Sequence, residues 1–468
     1  MSAKQSSLQA LWLKALLGTL FGYALLGKGF AYLFIGELIL VLGTFLLIRS
    51  QRIMLAFSDS VLLLWSFFAF WGFCRTVPYI STYHFDALRD AVLWGYGTFT
   101  LLIAAFVNNS EQISRALNTY RRFLRWYLPV LPGLLLVSIV YRASMPTIPW
   151  SDGVGVLFLK IGDTAVHLTA AGLFLLIFPD RKPNADQQGV TEKRSIPIYR
   201  LIGFVGWSLT AMISMAAGRT GLLDVMVPFF VVSVLKAQKI GWKVLALAVP
   251  VLILALMVLE TNVVTVKFNG SRSLTGDQIL ANMGSLTGSS DAEGLDGTKE
   301  WRLIWWHNII NYTVFGPYFW TGKGFGVNLA QVDGPPGITQ DEIALRSPHN
   351  GNMTVLARMG VPGILMWVAL NFTFVFRLIK AYLRATRLKA QFWSNVNLWI
   401  LCYWLGSFLN MSFDVYLEGP QGGIWFWSII GLGVAALRVQ SYELRQMTMP
   451  SRVIIHDSPE PEHSLVHA

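Results

Sequence analysis

Twelve apolar runs of roughly bilayer-spanning length punctuate this chain, and they restrict it to one class of fold. They fall near 9–26, 30–48, 54–74, 91–107, 126–141, 162–178, 200–217, 220–236, 244–260, 352–376, 393–411 and 422–437. A helix needs about 20 apolar residues to cross the hydrocarbon core. Inside that core every backbone N–H and C=O must find a partner within the chain, and a helix supplies all of them locally. The expected fold is therefore an all-α polytopic membrane protein with about twelve transmembrane helices. Composition agrees: 54% of residues are hydrophobic and only 13% charged, against about 25% charged in a soluble domain.

The formal charge of +11 raises nucleic acid as a partner, but its distribution points elsewhere. Lys and Arg gather at Arg49 and Arg52, at Arg115 to Arg125, at Arg181 to Arg200, at Lys236 to Lys243, at Arg377 to Lys389, and from Arg438 onward. Each cluster follows an even-numbered run. That is the positive-inside pattern of an inner membrane protein with both termini cytoplasmic, and no nucleic-acid partner is expected. Cys74 and Cys402 lie far apart in or beside apolar runs and offer neither a disulfide framework nor a zinc spacing. The N-terminal run lacks an A-x-A-type cleavage site and reads as a retained first span.

Four regions follow. Residues 1–260 form a membrane domain of about nine spans, and 261–350 a long external segment. Residues 351–440 supply the last three spans, and 441–468 a cytoplasmic tail, disordered from about Met449. The segment NNSEQISRALNTYRRFLRW is amphipathic and is expected to lie along the cytoplasmic surface, while PDRKPNADQQGVTEKRS is a polar linker. The external segment is too long for a simple connection and should carry structure of its own.

Its second half concentrates the chemistry. A helix is expected from Thr298 to Tyr312, on which Arg302, Trp305, Trp306, Ile309 and Ile310 share one face. An arginine on an apolar face needs an anion or a carboxylate, and a guanidinium fits phosphate oxygens bidentately. Pairing with a nearby Asp or Glu, or snorkelling to the interface, would satisfy it as well. In SPHNGNMTVLARMGVPG, Pro348 stops any preceding helix, Asn350 is a good N-cap, and His349 sits at the mouth of the tenth run. A helix N-terminus favours anions and a neutral imidazole that can accept a proton, although a lone histidine there is more commonly structural. Arg219, in the tight AGRTG turn between the seventh and eighth runs, is expensive in lipid unless it pairs with Asp224 or serves a site. Topology puts Arg219, Arg302 and His349 on the external side, where together they suit a doubly charged anion such as a diphosphate.

Glu37, Asp59, Asp163 with His167, Asp224 and Arg358 read as scaffold pairs within the bundle. Asp414, with Glu418 in a short external loop, is the acidic residue placed nearest the same face. Trp301, Trp305, Trp306, Tyr312, Tyr318 and Trp320 can stack on sugar rings or form an interfacial belt, and the belt is the commoner arrangement. There is no D-x-D pair, no H-E-x-x-H and no P-loop, so neither metal nor nucleotide is called for.

The order of these features resembles the O-antigen ligase/polymerase family of bacterial membrane glycosyltransferases. GRTG at Arg219 is followed by R-x-x-x-W from Arg302 to Trp306. The glycine turn G-K-G-F-G follows at Gly322 to Gly326, then P-H-N-G…G-V-P-G from Pro348 to Gly363. The resemblance covers about residues 200–440, and the Gly/Ser/Asp-rich stretch from Ser271 to Asp296 departs from it. It implies a GT-C-like fold with a periplasmic site and no cofactor. The implied donor is a glycan on polyprenyl diphosphate, and the implied acceptor is the lipid A-core or another glycan.

By the same resemblance Arg219 and Arg302 would bind the diphosphate and His349 would assist catalysis. Asn350, Trp305, Trp306 and Asp414 complete the candidate substrate site. O-antigen ligation to lipid A-core is the first reading, and a polymerase of the same family the second. A multi-span transporter is more distant, because no matching pair of broken spans is visible.

Overall fold

The structure, a computed structural model, describes residues 3–151, 153–178, 198–217, 219–236, 295–333 and 346–448. Among them the chain is all-helical apart from two isolated β-bridges, Gly27 with Phe158 and Thr147 with Gly155. The first third contains α1 (Ala3–Leu26), α2 (Lys28–Ala31), α3 (Ile35–Arg49), α4 (Leu55–Ser58), α5 (Ser60–Tyr83), α6 (Phe85–Gly95), α7 (Thr98–Phe106) and α8 (Ser110–Val140). An extended stretch leads to α9 (Ile161–Ile177), followed by α10 (Ile198–Ala217) and α11 (Arg219–Leu235). Then come α12 (Leu295–Thr313), α13 (Leu329–Asp333), α14 (Gly351–Arg387), α15 (Gln391–Met411) and α16 (Pro420–Thr448).

Among the described residues five helical stretches are long and apolar enough to cross a membrane: Ser6–Leu26, Ser60–Tyr83, Ser110–Val140, Gly351–Arg387 and Pro420–Gln446. The pair Ile35–Arg49 and Arg52–Ser58 is long and apolar enough only when taken together, and it bends by 102° at its break. Shorter apolar helices at Ile161–Ile177, Leu201–Met215 and Thr220–Leu235 coincide with further runs. The run at 244–260, the 261–294 half of the external segment, the polar linker and the tail from Met449 lie outside the described residues.

Two elements differ from the sequence reading. The run at 91–107 is divided between α6 and α7 by a tight turn at Tyr96 and Gly97, where Gly97 N bonds Trp94 O (3.0 Å), Phe99 N bonds Tyr96 O (3.0 Å) and Thr100 N bonds Gly97 O (2.9 Å). There Gly97 packs so closely on Trp65 that an added Cβ would stand 2.0 Å from its indole nitrogen. The amphipathic stretch before the fifth run is not a separate surface helix. It continues into that run as α8 through Pro129 and Pro132. Its buried residues Ile113, Leu117, Tyr120, Leu124, Tyr127, Leu128 and Leu131 form one unbroken stripe, so a single packing face carries the helix from end to end.

α14 packs on α5 and α15, α15 on α9 and α11, and α16 on α7. Buried polar side chains join them: Trp404 Nε1 donates to Asn371 Oδ1 (3.1 Å) and Asn397 Nδ2 to Gln440 Oε1 (2.7 Å). Between apolar helices in lipid such bonds, with close van der Waals contact, supply the association that water supplies elsewhere. Several intramembrane ionisables are likewise partnered across helices, whereas both carboxylate oxygens of Asp224 are buried without a hydrogen-bond partner among the described residues. Asp163 accepts from Asn410 (3.0 Å), His167 Nδ1 meets the Tyr403 hydroxyl (2.8 Å), and Arg377 pairs with Asp59 (2.7 Å).

Candidate active site

The site is positioned by a break in α14. Gly360 has φ +68° within an otherwise helical run, and Pro362 has no N–H to give the carbonyl of Arg358. The glycine turn 322–326 satisfies the opened backbone. Lys323 N donates to Ala357 O (2.7 Å), Gly324 N to Arg358 O (3.1 Å), and Val361 N turns away to Phe319 O (2.7 Å). Trp71 Nε1 takes Met359 O (2.8 Å). Gly322, Gly324 and Gly326 all have positive φ. A Cβ on Gly322 would stand 2.4 Å from the Arg358 carbonyl carbon, and one on Gly324 2.1 Å from the Tyr79 ring. The GKGFG turn therefore serves as a backbone plug for a broken helix.

A buried ion network locks that plug. Arg358, 1% exposed, pairs with Asp90 at 3.0 Å and donates to Gly324 O and Val327 O. Asp90 also accepts from Gly326 N (3.0 Å) and pairs with Arg346 (3.2 Å). Lys323 pairs with Asp333 at 2.9 Å, and the Tyr312 hydroxyl donates to the same carboxylate at 2.8 Å. α12 lies over the assembly, burying Trp305 and Ile309 among Val327, Leu329, Leu356 and Ala357.

On this support, α14 begins at the site. Asn350 caps the helix, its side chain accepting from the amides of Asn352 (2.9 Å) and Met353 (3.2 Å). His349 just before it adopts φ +51°, a left-handed conformation uncommon outside glycine. Trp306 Nε1 donates to Pro348 O (2.9 Å) and holds the approach to it. The Trp301 ring meets the imidazole edge to face at 5.9 Å.

His349 Nδ1 lies 3.3 Å from Asp414 Oδ1, long for a hydrogen bond and not aligned as one. Nε2 is buried and has no hydrogen-bond partner among the described residues. The other oxygen of Asp414 receives Lys160 Nζ at 3.1 Å, and Lys160 also donates to Val415 O (3.2 Å). Arg302 Nη1 donates to Phe413 O (3.0 Å), the residue before Asp414. Burial works to raise the Asp414 pKa, but the Lys160 ammonium, with smaller help from His349 and the Val415 amide, holds it well below the usual carboxylate range. Burial works to lower that of Lys160, and Asp414 and then Asp163 more than reverse it. The pair is therefore a fixed ion pair.

Of the residues singled out in the sequence, His349, Asp414, Arg302, Trp306 and Asn350 come together here. The Asn350 side chain is committed to its own helix. Trp305 is fully buried, its Nε1 3.5 Å from Asp333, and presents no accessible face. Arg219 is the first residue of α11. Lys160 escaped the sequence reading, although a single lysine at the mouth of the 162–178 run was a signal of the same kind as His349 before α14.

The fold and site define a helical membrane protein that carries imidazole, carboxylate and guanidinium groups where α14 begins. Residues 204–368 match the family model described as O-antigen ligase, and that match supports membership of the O-antigen ligase family. It spans Arg219, Arg302, the glycine turn and His349, and ends before Asp414. The family implies ligase- or polymerase-type glycosyltransferases acting on lipid-linked glycans in a membrane. No curated protein matches the chain.

Proposed function

We propose that the chain transfers a glycan from a polyprenyl diphosphate carrier to an acceptor hydroxyl at the periplasmic face of the bacterial inner membrane. The acceptor in this reading is the lipid A-core. The observation that carries it is the imidazole of His349, with one nitrogen against Asp414 and the other without a hydrogen-bond partner among the described residues, next to Arg302. With the proton on Nδ1 facing Asp414, Nε2 keeps a free lone pair for the acceptor O–H.

The acceptor oxygen forms its bond to the anomeric carbon as the bond from that carbon to the diphosphate oxygen breaks. The electron pair leaves with the diphosphate, and the acceptor proton passes to Nε2. Arg302 and Arg219 would stabilise the charge on the departing diphosphate, a good leaving group that asks for no metal in this scheme. Asp414 stabilises the imidazolium that forms, and Trp306 and Asn350 hold His349 in place. Twelve spans with both termini cytoplasmic, and residues 261–350 outside, complete the proposed topology.

A polymerase of the same family would use the same site with a carrier-linked glycan as acceptor. The lipopolysaccharide profile of a deletion strain separates the two: core without O-antigen supports ligation, and core capped by a single repeat supports polymerisation. An unchanged ladder would overturn both assignments.

A further inference from the structure

Lys28 and Arg142 are brought to one aromatic ring by a feature the proposed reaction does not use. Lys28 N donates to Phe158 O (2.9 Å) and Phe158 N to Leu26 O (3.1 Å), which lays the start of α2 along the stretch before α9. Glycine on both sides of the lysine makes this possible. Gly27 has φ +63°, and a Cβ there would stand 2.2 Å from Phe158 O; a Cβ on Gly29 would stand 2.0 Å from Val156 O. The Lys28 ammonium lies 5.8 Å from the Phe158 ring centroid and 5.9 Å from that of Tyr32. The Arg142 guanidinium lies 4.3 Å from the Phe158 centroid. Trp150 Nε1 donates to Tyr32 O (2.8 Å) and closes the stretch over α2.

Two residues beyond Phe158 is Lys160, whose charge Asp414 takes. Lys28 and Arg142 have no ion-pair partner among the described residues. Burial, then repulsion from Lys160 and Arg142, lowers the Lys28 pKa, and the more weakly acting carboxylates Asp163 and Asp414 offset only part of it. Two cations facing one ring gain a little from its quadrupole, but like charges held together are unfavourable until an anion joins them. A guanidinium fork beside an ammonium suits phosphate oxygens.

We propose that Lys28 and Arg142, both within 6 Å of the Phe158 ring and next to the His349–Asp414–Lys160 group, form an anion subsite for a phosphoryl group of a lipid-linked substrate. The proposal rests on the glycan-transfer reading for its choice of ligand. A phosphoryl group could arrive on the polyprenyl donor or on the lipid acceptor, and the test distinguishes them.

The full chain in zwitterionic nanodiscs is titrated with undecaprenyl diphosphate, with phosphorylated lipid A-core, and with lipid A-core treated with phosphatase. K28Q/R142Q is expected to weaken binding of one of the two phosphorylated lipids about tenfold, whichever carries the phosphoryl group bound here. The phosphatase-treated lipid should bind wild type and variant alike, and K28R/R142K should restore most of the affinity. R142Q alone, at an exposed position, keeps the test open should the double variant lose its fold. Unchanged affinity of the variants for both phosphorylated lipids overturns the subsite, whatever the enzyme transfers. Charge-dependent binding by a wild-type protein that transfers no glycan supports the subsite and instead removes the glycan-transfer reading.

Discussion

Lys160 and Asp414 meet at 3.1 Å across 254 residues of chain. The contact joins the mouth of α9 to the loop between α15 and α16, and it leaves the second Asp414 oxygen facing His349. An ion pair of this kind orients its members as much as it stabilises them. With Lys160 on Oδ2, the carboxylate cannot rotate away from the imidazole without breaking a partly buried pair.

The His349→Ala variant is expected to lose about 10²–10⁴-fold in transfer rate, the usual contribution of a positioned base. Membrane insertion and thermal stability should stay close to wild type. A purified transfer assay with a carrier-linked donor checks this, and near-normal turnover would remove His349 from the reaction.

Lys160 should shape the pH profile. Asp414 is held well below the usual carboxylate range, so it stays ionised and adds no limb to the activity profile between about pH 5 and 9. Its linked stability is present above the unfolded carboxylate pKa and is lost only as pH falls through the depressed folded value, below that window. In K160M the largest opposition to the burial of Asp414 is gone, only His349 and the Val415 amide remain, and its pKa rises. A new acidic limb should then appear, with activity falling as pH drops. A profile that keeps its wild-type shape would show that Lys160 does not act through Asp414.

Arg302→Lys and Arg219→Lys are expected to be nearly as poor as the alanine variants if each arginine grips phosphate oxygens bidentately, because an ammonium lacks the planar fork. Donor titrations of each variant test the point. Lysine variants with wild-type KM and kcat would contradict it.

The glycine plug should be intolerant of a side chain. Gly322→Ala places Cβ 2.4 Å from the Arg358 backbone at φ +58°. The left-handed conformation alone costs about 1–2 kcal/mol, and the clash adds to it. A clear fall in melting temperature, with loss of activity, is expected by fluorescence-detected thermal denaturation.

Asp90→Ala should be worse still. It leaves Arg358, 1% exposed, without its carboxylate, and breaking a buried pair costs about 3–5 kcal/mol. Low recovery of monodisperse protein is the expected readout, although neither residue touches the proposed substrate.

The sequence carried the helices, the cap at Asn350, the α12 face and the glycine turn, because each rests on local periodicity, capping or φ preference. Apolar runs in lipid have one backbone solution, so their positions could be read directly. The division at Gly97, the unbroken α8, and the partners of the charged residues could not. Asp414, Lys160 and His349 lie in three separate stretches, and no local rule says which carboxylate meets which cation. Trp305 and Trp306 are neighbours on one helix, yet one is core and the other steadies Pro348. Local sequence thus determined the helices, the candidate cations and the histidine. Tertiary packing decided which groups meet, because a buried charge must be paired by whatever element the fold brings beside it.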